Sequence, residues 1–224
     1  MTRLIELEGL KFFQGEFKAS SDNLLFFKEF VKLPLRGVAV ELGAGFGLGT
    51  VYLAKRYPQT EIIAVEYQKP LYSLLLKNLE LNGVKNVKPL LCDVRKIESC
   101  LKPQIADAVY SNPPFWRKEF LKGANKSEVY IKANYEVETD YKDFLKSAKY
   151  LLKSSKSLFF MFETPRMVEI ICELKSLKFT PKRLRMVFPK KGKGSHVFYI
   201  ESVLGGKEGH LKVEEPLYST PLGS

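Results

Sequence analysis

Short apolar runs alternate with amphipathic helical stretches along most of this chain, and no other feature constrains the fold as strongly. Seven runs have the length and composition of buried strands, at residues 37–42, 61–66, 87–92, 106–111, 157–162, 183–188 and 196–203. Helical patterns separate most of them, at about residues 47–56, 70–82, 141–152 and 165–177. Strands that alternate with helices form a parallel sheet with crossover helices. We therefore expect one α/β domain over residues 1–224, of which residues 1–36 form an N-terminal extension before the first strand of the sheet.

The last two strands are joined differently from the others. Residues 189–194 read Pro-Lys-Lys-Gly-Lys-Gly, which is too short for a crossover helix. The seventh strand is therefore expected to run antiparallel in a mostly parallel sheet. Residues 116–138 show no clear period, and a segment of that length in a compact domain is usually a functional lid or loop.

Composition narrows the function classes. No apolar run approaches the ~18 residues of a membrane span, and the N-terminus lacks the pattern of a secretory signal, so a cytoplasmic protein is expected. Three cysteines without a Cys-x-x-Cys pair signal neither a disulfide framework nor a metal site. The formal net charge of +11 attracts polyanions and makes nucleic acid the leading candidate partner. A Lys-rich surface that is merely solvated is the alternative.

Glycines at alternate positions follow the first strand, in the sequence Glu41-Leu42-Gly43-Ala44-Gly45-Phe46-Gly47-Leu48-Gly49. Such a turn lets the backbone approach a ligand closely and presents free amides at a helix N-terminus. The dinucleotide pattern Gly-x-Gly-x-x-Gly fails, because Leu48 or Thr50 stands at its last position. Glu41 also suits a ligand with an ammonium group better than one with phosphates.

Acidic residues end the second and third strands. Ligands of open α/β sheets bind at the carboxyl ends of the strands, so both side chains are expected at the same edge. Glu66 is placed to accept hydrogen bonds from both hydroxyls of a ribose, and Asp93 to reach an adenine amino group. Taken alone, either residue could instead cap the next helix.

The fourth strand ends in Asn112-Pro113-Pro114-Phe115. Two prolines stiffen the turn, so that the Asn112 amide oxygen and a nearby backbone carbonyl can act as paired acceptors for an NH2 group. An aromatic or amide nitrogen is a poor nucleophile because its lone pair is delocalised, and two acceptors that favour a pyramidal nitrogen assist its methylation. Phe115 offers a face on which a flipped base can stack.

These residues together resemble the Asn-Pro-Pro-(Tyr/Phe) class of S-adenosylmethionine-dependent methyltransferases, and within it the tRNA adenine-N6 methyltransferase family. The resemblance covers residues 17–218 and includes Ser21-Asp22-Asn23-Leu24-Leu25, the motifs above and several C-terminal motifs. The latter read Asp143-Phe144-Leu145, Pro181-Lys182-Arg183-Leu184-Arg185, Gly205-Gly206-Lys207 and Pro216-Leu217-Tyr218. It implies a Rossmann-like class I methyltransferase fold with S-adenosylmethionine as cofactor and tRNA as partner, the N-terminal extension covering the cofactor site.

The resemblance also implies a role for each site residue. Asp22 approaches the methionine end of the cofactor, and the ribose and adenine are held by Glu66 and Asp93. The cofactor is lined by Glu41, Gly43, Gly45 and Asn112. The substrate amino group is held by Asn112, Pro113 and Phe115.

Two positions leave the substrate open. Phe115 stands where adenine-specific members have Tyr, and Phe there is typical of guanine-N2 rRNA methyltransferases. Asn134 stands where an Arg is expected after the loop. Protein-glutamine methyltransferases share the motif but carry an N-terminal helical domain that residues 1–36 could not supply. A noncatalytic cofactor-binding protein is a third reading, although it would have no need of the paired acceptors.

A basic stretch near the C-terminus favours an RNA substrate. Residues 174–200 contain eight Lys or Arg and no Asp or Glu. Because phosphate contacts supply most of the affinity for nucleic acid, RNA contacts are predicted for six of them. These are Lys182, Arg183, Arg185, Lys190, Lys191 and Lys193. A solvated face is the alternative.

Overall fold

The computed structural model describes residues 2–121 and 126–219, so that residues 122–125 of the segment without a predicted structure lie outside it. The strands are β1 (Arg3–Leu7), β2 (Leu10–Gln14), β3 (Gly37–Leu42), β4 (Thr60–Glu66), β5 (Val87–Leu91), β6 (Ala106–Ser111), β7 (Trp116–Arg117), β8 (Tyr135–Glu136), β9 (Leu152–Glu163), β10 (Phe179–Phe188), β11 (Val197–Leu204), β12 (Lys212–Val213) and β13 (Leu217–Tyr218). The α-helices are α1 (Ser21–Leu25), α2 (Leu48–Arg56), α3 (Lys69–Leu81), α4 (Ile97–Cys100), α5 (Glu128–Asn134), α6 (Tyr141–Leu151) and α7 (Met167–Ser176). None of these helices is long and apolar enough to cross a membrane.

The central sheet contains all seven predicted strands. Its order is β12-β10-β11-β9-β6-β3-β4-β5, with β13 beside β10. Strands β3, β4, β5, β6 and β9 pair in parallel, whereas β11 is antiparallel to both β9 and β10. The prediction of a mostly parallel sheet with an antiparallel seventh strand is confirmed. Strand β10 consequently ends at the same edge of the sheet as β3, β4 and β6.

The alternating residues of each buried strand face two separate hydrophobic layers. In β3, Ala39 packs on one face with α2 and α3, while Val40 and Leu42 pack on the other with α6 and α7. This is the period of two that a pleated strand imposes when both faces of a sheet are covered by helices. The apolar faces of the four predicted helices fill these layers, which is why their periodicity located them to within two residues.

The N-terminal segment forms structure that the sequence patterns do not predict. Strands β1 and β2 pair as an antiparallel hairpin. The fully buried Asn78 of α3 holds it, accepting a hydrogen bond from the amide of Phe13 at 2.7 Å and donating to its carbonyl at 2.9 Å. After α1, a π-helical turn (Phe26–Phe30) packs Phe26 and Phe30 against Tyr199 of β11. The chain before β3 is thereby fixed against the sheet.

A disulfide links Cys92 to Cys100, contrary to the expectation from cysteine spacing. Cys92 follows β5 and Cys100 ends α4, so the turn between them brings the two sulfur atoms together. The number and spacing of the cysteines could not predict this disulfide, because a single pair eight positions apart matches no known disulfide motif. In the described residues no group of three or more His, Cys, Asp or Glu side chains is arranged to hold a metal ion.

Candidate active site

The glycine turn after β3 is tightly enclosed. Gly43 and Gly45 have φ of 77° and 58°, in the left-handed region that side chains disfavour. A Cβ on Gly49 would lie 2.4 Å from the Phe27 ring and 2.6 Å from the Glu41 carboxylate. The amides of Gly43 and Ala44 donate to the carbonyl of Val65 in β4, at 3.0 and 2.9 Å. The turn is therefore fixed to the end of the neighbouring strand, with no room for larger residues.

Glu66 ends β4 beside this turn and is buried. One carboxylate oxygen accepts a hydrogen bond from the amide of Gly45 and the other from the amide of Gln68, each at 2.8 Å. Burial raises its pKa, and the two amide donors oppose that effect. Each oxygen keeps a further lone pair, so the carboxylate can still accept two hydroxyl groups.

Glu41 is also buried, directly below the glycine turn. The hydroxyl groups of Thr50 and Tyr110 both donate to its Oε2, the latter at 3.3 Å. Burial raises the pKa of Glu41 to about 8, against the opposing effect of these donors. Two buried acids, Glu41 and Glu66, thus lie at one end of the sheet, as the sequence predicts.

These residues line a first cavity and a recess that adjoins it. The first cavity is bounded by Gly43, Gly45, Glu66 and Tyr67, with Asn112 at its far end. Glu41 lines a recess that shares Gly43, Gly45 and Asn112 with this cavity. The glycine turn, both acids and Asn112 are therefore brought together as predicted.

Tyr67 is not among the residues that the sequence predicts for the site. Its hydroxyl is buried without a hydrogen-bond partner, and burial raises its pKa. Buried polar groups without a partner are rare in native proteins, so this hydroxyl is suited to bind a ligand in the first cavity. The sequence could have indicated Tyr67 only by its position, because it directly follows Glu66 at the end of β4.

Asp93 follows β5 at the predicted edge of the sheet, where its carboxylate binds a neighbouring arginine. Its neighbours Cys92 and Val94 line the first cavity, but its own carboxylate is bound by the Arg95 guanidinium, with Nη2 at 2.5 Å. This ion pair lowers the pKa of Asp93. Arg95 also donates to the carbonyl of Glu138 at 3.0 Å. Through Arg95, Asp93 is linked to the segment before α6, and the contact of Asp93 with an adenine stays a prediction.

Asn112 stands between the two cavities. Its Nδ2 donates to Asn23 Oδ1 at 2.8 Å, whereas its Oδ1 is buried and has no partner. The second cavity is lined by Asp22, Phe115, Trp116 and Asn134, together with Asn112 and Pro113. The amide oxygen of Asn112 is thus an open acceptor at the junction of the two cavities.

Phe115 is held by packing on the far side of this motif. Its ring lies 5.9 Å from those of both Trp116 and Phe162, in edge-to-face arrangements. Its carbonyl accepts a hydrogen bond from Arg166 at 3.2 Å. The Arg166 guanidinium is in turn bound by Glu136 at 2.7 Å. The ring is therefore anchored and lines the second cavity, as a stacking face requires.

The segment after the motif folds back over both cavities. Strands β7 and β8 pair in parallel, with Trp116 opposite Tyr135. Helix α5 follows the N-cap Ser127 and has Lys132 in its last turn, paired with Glu128 and Glu138. Lys132 lines the first cavity and Asn134 the second. The described residues of this segment thus form elements that are too short to show a periodic pattern.

Asp22 lies on the side of the second cavity. Its Oδ2 is 3.0 Å from His196 Nε2. It does not line the recess that holds Glu41 and the glycine turn, where the resemblance places the methionine end of a cofactor. Its neighbour Asn23 lies between the recess and the second cavity, because it lines both. Asn23 is also hydrogen-bonded to Asn112.

Comparison with known proteins agrees with this architecture. A family model described as "Putative methyltransferase" matches residues 36–119, from the start of β3 to just beyond the Asn-Pro-Pro-Phe motif. A tRNA1(Val) (adenine(37)-N6)-methyltransferase of Pseudoalteromonas translucida is 30% identical over 51% of this chain and 47% of its own length. A tRNA (guanine-N(7)-)-methyltransferase of Lactiplantibacillus plantarum is 25% identical over 54% of this chain and 51% of its own. The chain thus spans about half the length of these curated relatives.

Two solved structures share the fold over nearly the whole chain. A predicted O-methyltransferase of Agrobacterium tumefaciens has a TM-score of 0.68 and 18% identity, covering 92% of this chain and 90% of its own. TYW2 of M. jannaschii in complex with AdoMet has a TM-score of 0.61 and 18% identity, covering 91% and 86%. The chain has the Rossmann-like fold of the class I methyltransferases.

Within this methyltransferase fold, three of the six predicted RNA-contacting residues are engaged by the protein itself. Arg183 is bound by Glu201 at 2.6 Å and Glu214 at 3.0 Å, and it covers the Phe30 ring. Lys182 and Arg185 donate to backbone carbonyls of the C-terminal segment. Arg183 therefore stabilises the junction of β10 with β12. A count of charges in the sequence cannot distinguish such a structural arginine from one that contacts RNA.

The other three lie in the loop between β10 and β11. Lys190, Lys191 and Lys193 are exposed there. Because β10 is parallel to β6, this loop lies at the edge of the sheet that carries Asn112. These lysines are therefore free to contact a polyanion at the same edge as the two cavities.

Replacing Glu41 by Gln should make stability less dependent on pH. The pKa of Glu41 is raised from 4.5 to about 8, so between these values the folded protein holds a proton that the unfolded chain has released. The free energy of unfolding then falls as the pH rises, by at most about 1.4 kcal/mol per pH unit. Glu41→Gln keeps an acceptor without this proton, and should gain stability relative to wild type from pH 5 to 8.

Chemical denaturation at several pH values measures this difference. The control is Glu61→Gln, since Glu61 is exposed on the same sheet. Parallel stability curves for wild type and Glu41→Gln would contradict the burial of a protonated Glu41.

Proposed function

We propose that this protein is an S-adenosylmethionine-dependent methyltransferase that acts on an exocyclic amino group in RNA, namely the N6 of an adenine in tRNA. The observation that carries the proposal is the unpartnered Oδ1 of Asn112 at the junction of the two cavities. Asn23 holds the other end of the amide, so the oxygen cannot turn away without losing that bond. An amino group in the second cavity would donate a hydrogen bond to Asn112 Oδ1. It would then lie beside a methyl donor bound in the first cavity.

The first cavity fits the cofactor. The glycine turn admits a ligand close to the backbone, and Glu66 can bind the two hydroxyls of a ribose. The unpartnered hydroxyl of Tyr67 offers a donor for the adenosine portion. Glu41 suits the methionine ammonium group, which would lower its pKa on binding. When bound, S-adenosylmethionine supplies a methyl group on a positively charged sulfur.

The chain's own residues then prepare the substrate nitrogen. Asn112 Oδ1, with the Pro113 carbonyl as second acceptor, binds the amino hydrogens and favours a pyramidal nitrogen whose lone pair is available. Such acceptors act mainly in the transition state, because positive charge develops on the nitrogen there. Phe115 stacks on the base and orients its amino group. The lid formed by β7, α5 and β8 excludes water from both cavities.

The choice of adenine rests on the similarity to an adenine-N6 methyltransferase, and that of tRNA on two relatives whose names specify tRNA. The net charge of +11 and the exposed lysines beside the site support a polyanionic substrate. Phe115 in place of Tyr favours the N2 of guanine as the second candidate. Both amino groups fit the same acceptors, and the product distinguishes them.

Removing the three exposed lysines should reduce the dependence of RNA binding on salt. Each phosphate contact that is lost lowers the slope of log affinity against log salt by about 0.7 to 0.9, because fewer counterions are released. In the triple variant Lys190→Gln, Lys191→Gln, Lys193→Gln the slope should therefore fall by about 2 to 3 when each lysine contacts one phosphate, with unchanged cofactor affinity.

Filter binding of tRNA at several salt concentrations measures this slope. A matched control replaces Lys55, Lys85 and Lys88 by Gln, since these exposed lysines lie near the opposite edge of the sheet. Equal slopes for wild type and the loop variant would show that the loop is solvated and does not contact RNA.

Substitution of Asn112 and of Glu66 should affect different steps. Asn112→Ala should lower kcat for methylation of tRNA by about 100-fold or more while S-adenosylmethionine still binds, because the acceptor is needed in the transition state. Glu66→Ala should mainly weaken S-adenosylmethionine, by about 1.5 to 3 kcal/mol for the lost charged hydrogen bonds. Calorimetry gives the cofactor affinity, and single-turnover transfer of labelled methyl groups gives the rate.

Phe115→Tyr serves as the conservative control and should stay active, since the stacking face is kept. Full activity of Asn112→Ala would contradict the proposed role of the amide. Undiminished cofactor affinity in Glu66→Ala would contradict the placement of the ribose.

A further inference from the structure

Asp22 and His196 form a pair beside the second cavity although they are 174 residues apart in the chain. His196 Nε2 lies 3.0 Å from Asp22 Oδ2. Since a carboxylate only accepts hydrogen bonds, the proton is assigned to Nε2, which donates to Asp22. The backbone carbonyl of Asp22 also accepts a hydrogen bond from the Tyr199 hydroxyl at 2.7 Å. Asp22 is therefore fixed at both its main chain and its side chain.

The second oxygen of this carboxylate has no partner. Asp22 Oδ1 is buried and makes no hydrogen bond, although Asp22 lines the second cavity. Burying an unsatisfied carboxylate oxygen is costly, and such groups in native proteins usually have a functional reason. Asn112 Oδ1, in the same cavity, is likewise buried and unpartnered. Asn23, the residue after Asp22, is hydrogen-bonded to Asn112, so the two open acceptors belong to one connected group.

The backbone of His196 is fixed by two hydrogen bonds. Its amide donates to the carbonyl of Val187 at 3.1 Å, and its own carbonyl accepts from the amide of Thr164 at 2.9 Å. Both bonds fix the backbone where β11 begins, so the sheet sets the point from which the ring reaches Asp22. With Oδ2 occupied by His196, Oδ1 is the oxygen of Asp22 that remains for a ligand.

The proposed reaction releases a proton from the substrate nitrogen, beside Asn112. When a neutral NH2 group takes up a methyl group, an N–CH3 bond forms and the S–CH3 bond breaks, with its electron pair remaining on sulfur. The nitrogen then carries one proton too many. One N–H bond must break with its electrons returning to nitrogen, and the proton needs a base. The amide of Asn112 is too weakly basic to keep that proton, whereas a carboxylate is sufficient.

We propose that Asp22, oriented by His196, accepts the proton that the substrate amino group releases on methylation. This inference rests on the proposed function and extends it. Before transfer, Asp22 Oδ1 accepts a hydrogen bond from the amino group beside Asn112 Oδ1. As positive charge develops on the nitrogen, the negative carboxylate stabilises it more than a neutral acceptor could. His196 is a positioning residue, since it acts through Asp22.

The variant Asp22→Asn removes the ability to accept a proton while it keeps the size and shape of the side chain. The amide has nearly the same size and keeps an acceptor oxygen, but it cannot take up the proton. A lost general base typically lowers the rate by about 100-fold or more, so kcat for tRNA should fall by that factor. KM for tRNA and the dissociation constant of S-adenosylhomocysteine, measured by calorimetry, should stay unchanged. Unaltered thermal unfolding establishes that the variant is folded.

Variants of His196 test the positioning role separately. The side-chain NH2 of Gln can replace the Nε2 donor, so His196→Gln should retain most activity, whereas His196→Ala should lose about 10-fold or more in kcat. The control is His210→Asn, because His210 is the other histidine of the chain, is exposed, and has a positive φ that Asn tolerates. It should behave as wild type.

The outcomes separate this inference from the function on which it rests. Wild-type kcat in Asp22→Asn would overturn proton acceptance and leave the methyltransferase assignment standing. Weakened binding of S-adenosylhomocysteine with nearly normal kcat would overturn it too, since Asp22 would then be a cofactor ligand. His196→Gln as slow as His196→Ala would overturn the positioning role. Absence of methylation by wild type on tRNA that is known to be unmodified would overturn the proposed function and the inference together.

Discussion

The hydrogen bond between Asn23 and Asn112 is the contact on which the rest of the site depends. It joins the N-terminal segment to the end of β6 and occupies the donor end of the Asn112 amide. The acceptor end is thereby left open between the two cavities. The bond itself requires that α1 be fixed, which the packing of Phe26 and Phe30 on Tyr199 provides. Chemistry at Asn112 is thus supported by aromatic packing on one face of the sheet.

Buried acids form the second constraint. Glu41 and Glu66 lie at the same edge of the sheet, and burial together with mutual repulsion raises the pKa of Glu41 to about 8. Such groups are unfavourable for folding unless hydrogen-bond donors surround them, and here backbone amides and hydroxyls do so. The glycine turn brings the amide of Gly45 close to Glu66, and the chain after β4 supplies the amide of Gln68. A ligand with hydroxyl and ammonium groups would complete the hydrogen bonding of both acids.

The sequence could predict those features that depend on local patterns. Strands, crossover helices and their sequence along the chain follow from periodicity, and the rule that ligands bind at the carboxyl ends of strands placed Glu66 and Asp93 at one edge. The family resemblance added Glu41 and Asn112 to the same site. The pairs Asn23–Asn112 and Asp22–His196 could not be predicted, because they depend on contacts between segments 89 and 174 residues apart. Helix α5 has only seven residues, too few to show a period. The pairing of Asp93 with Arg95, two residues on, was not predicted either, because charge spacing alone does not show which carboxylates are paired.

The most direct test of the account is the product itself. Total RNA from a strain that lacks the gene is incubated with the purified protein and S-adenosylmethionine labelled in the methyl group, and the digested nucleosides are separated and identified by mass spectrometry. We expect labelled N6-methyladenine in the tRNA fraction. Labelled N2-methylguanine would contradict the assignment of adenine, and label found only on glutamine in protein would contradict the RNA substrate.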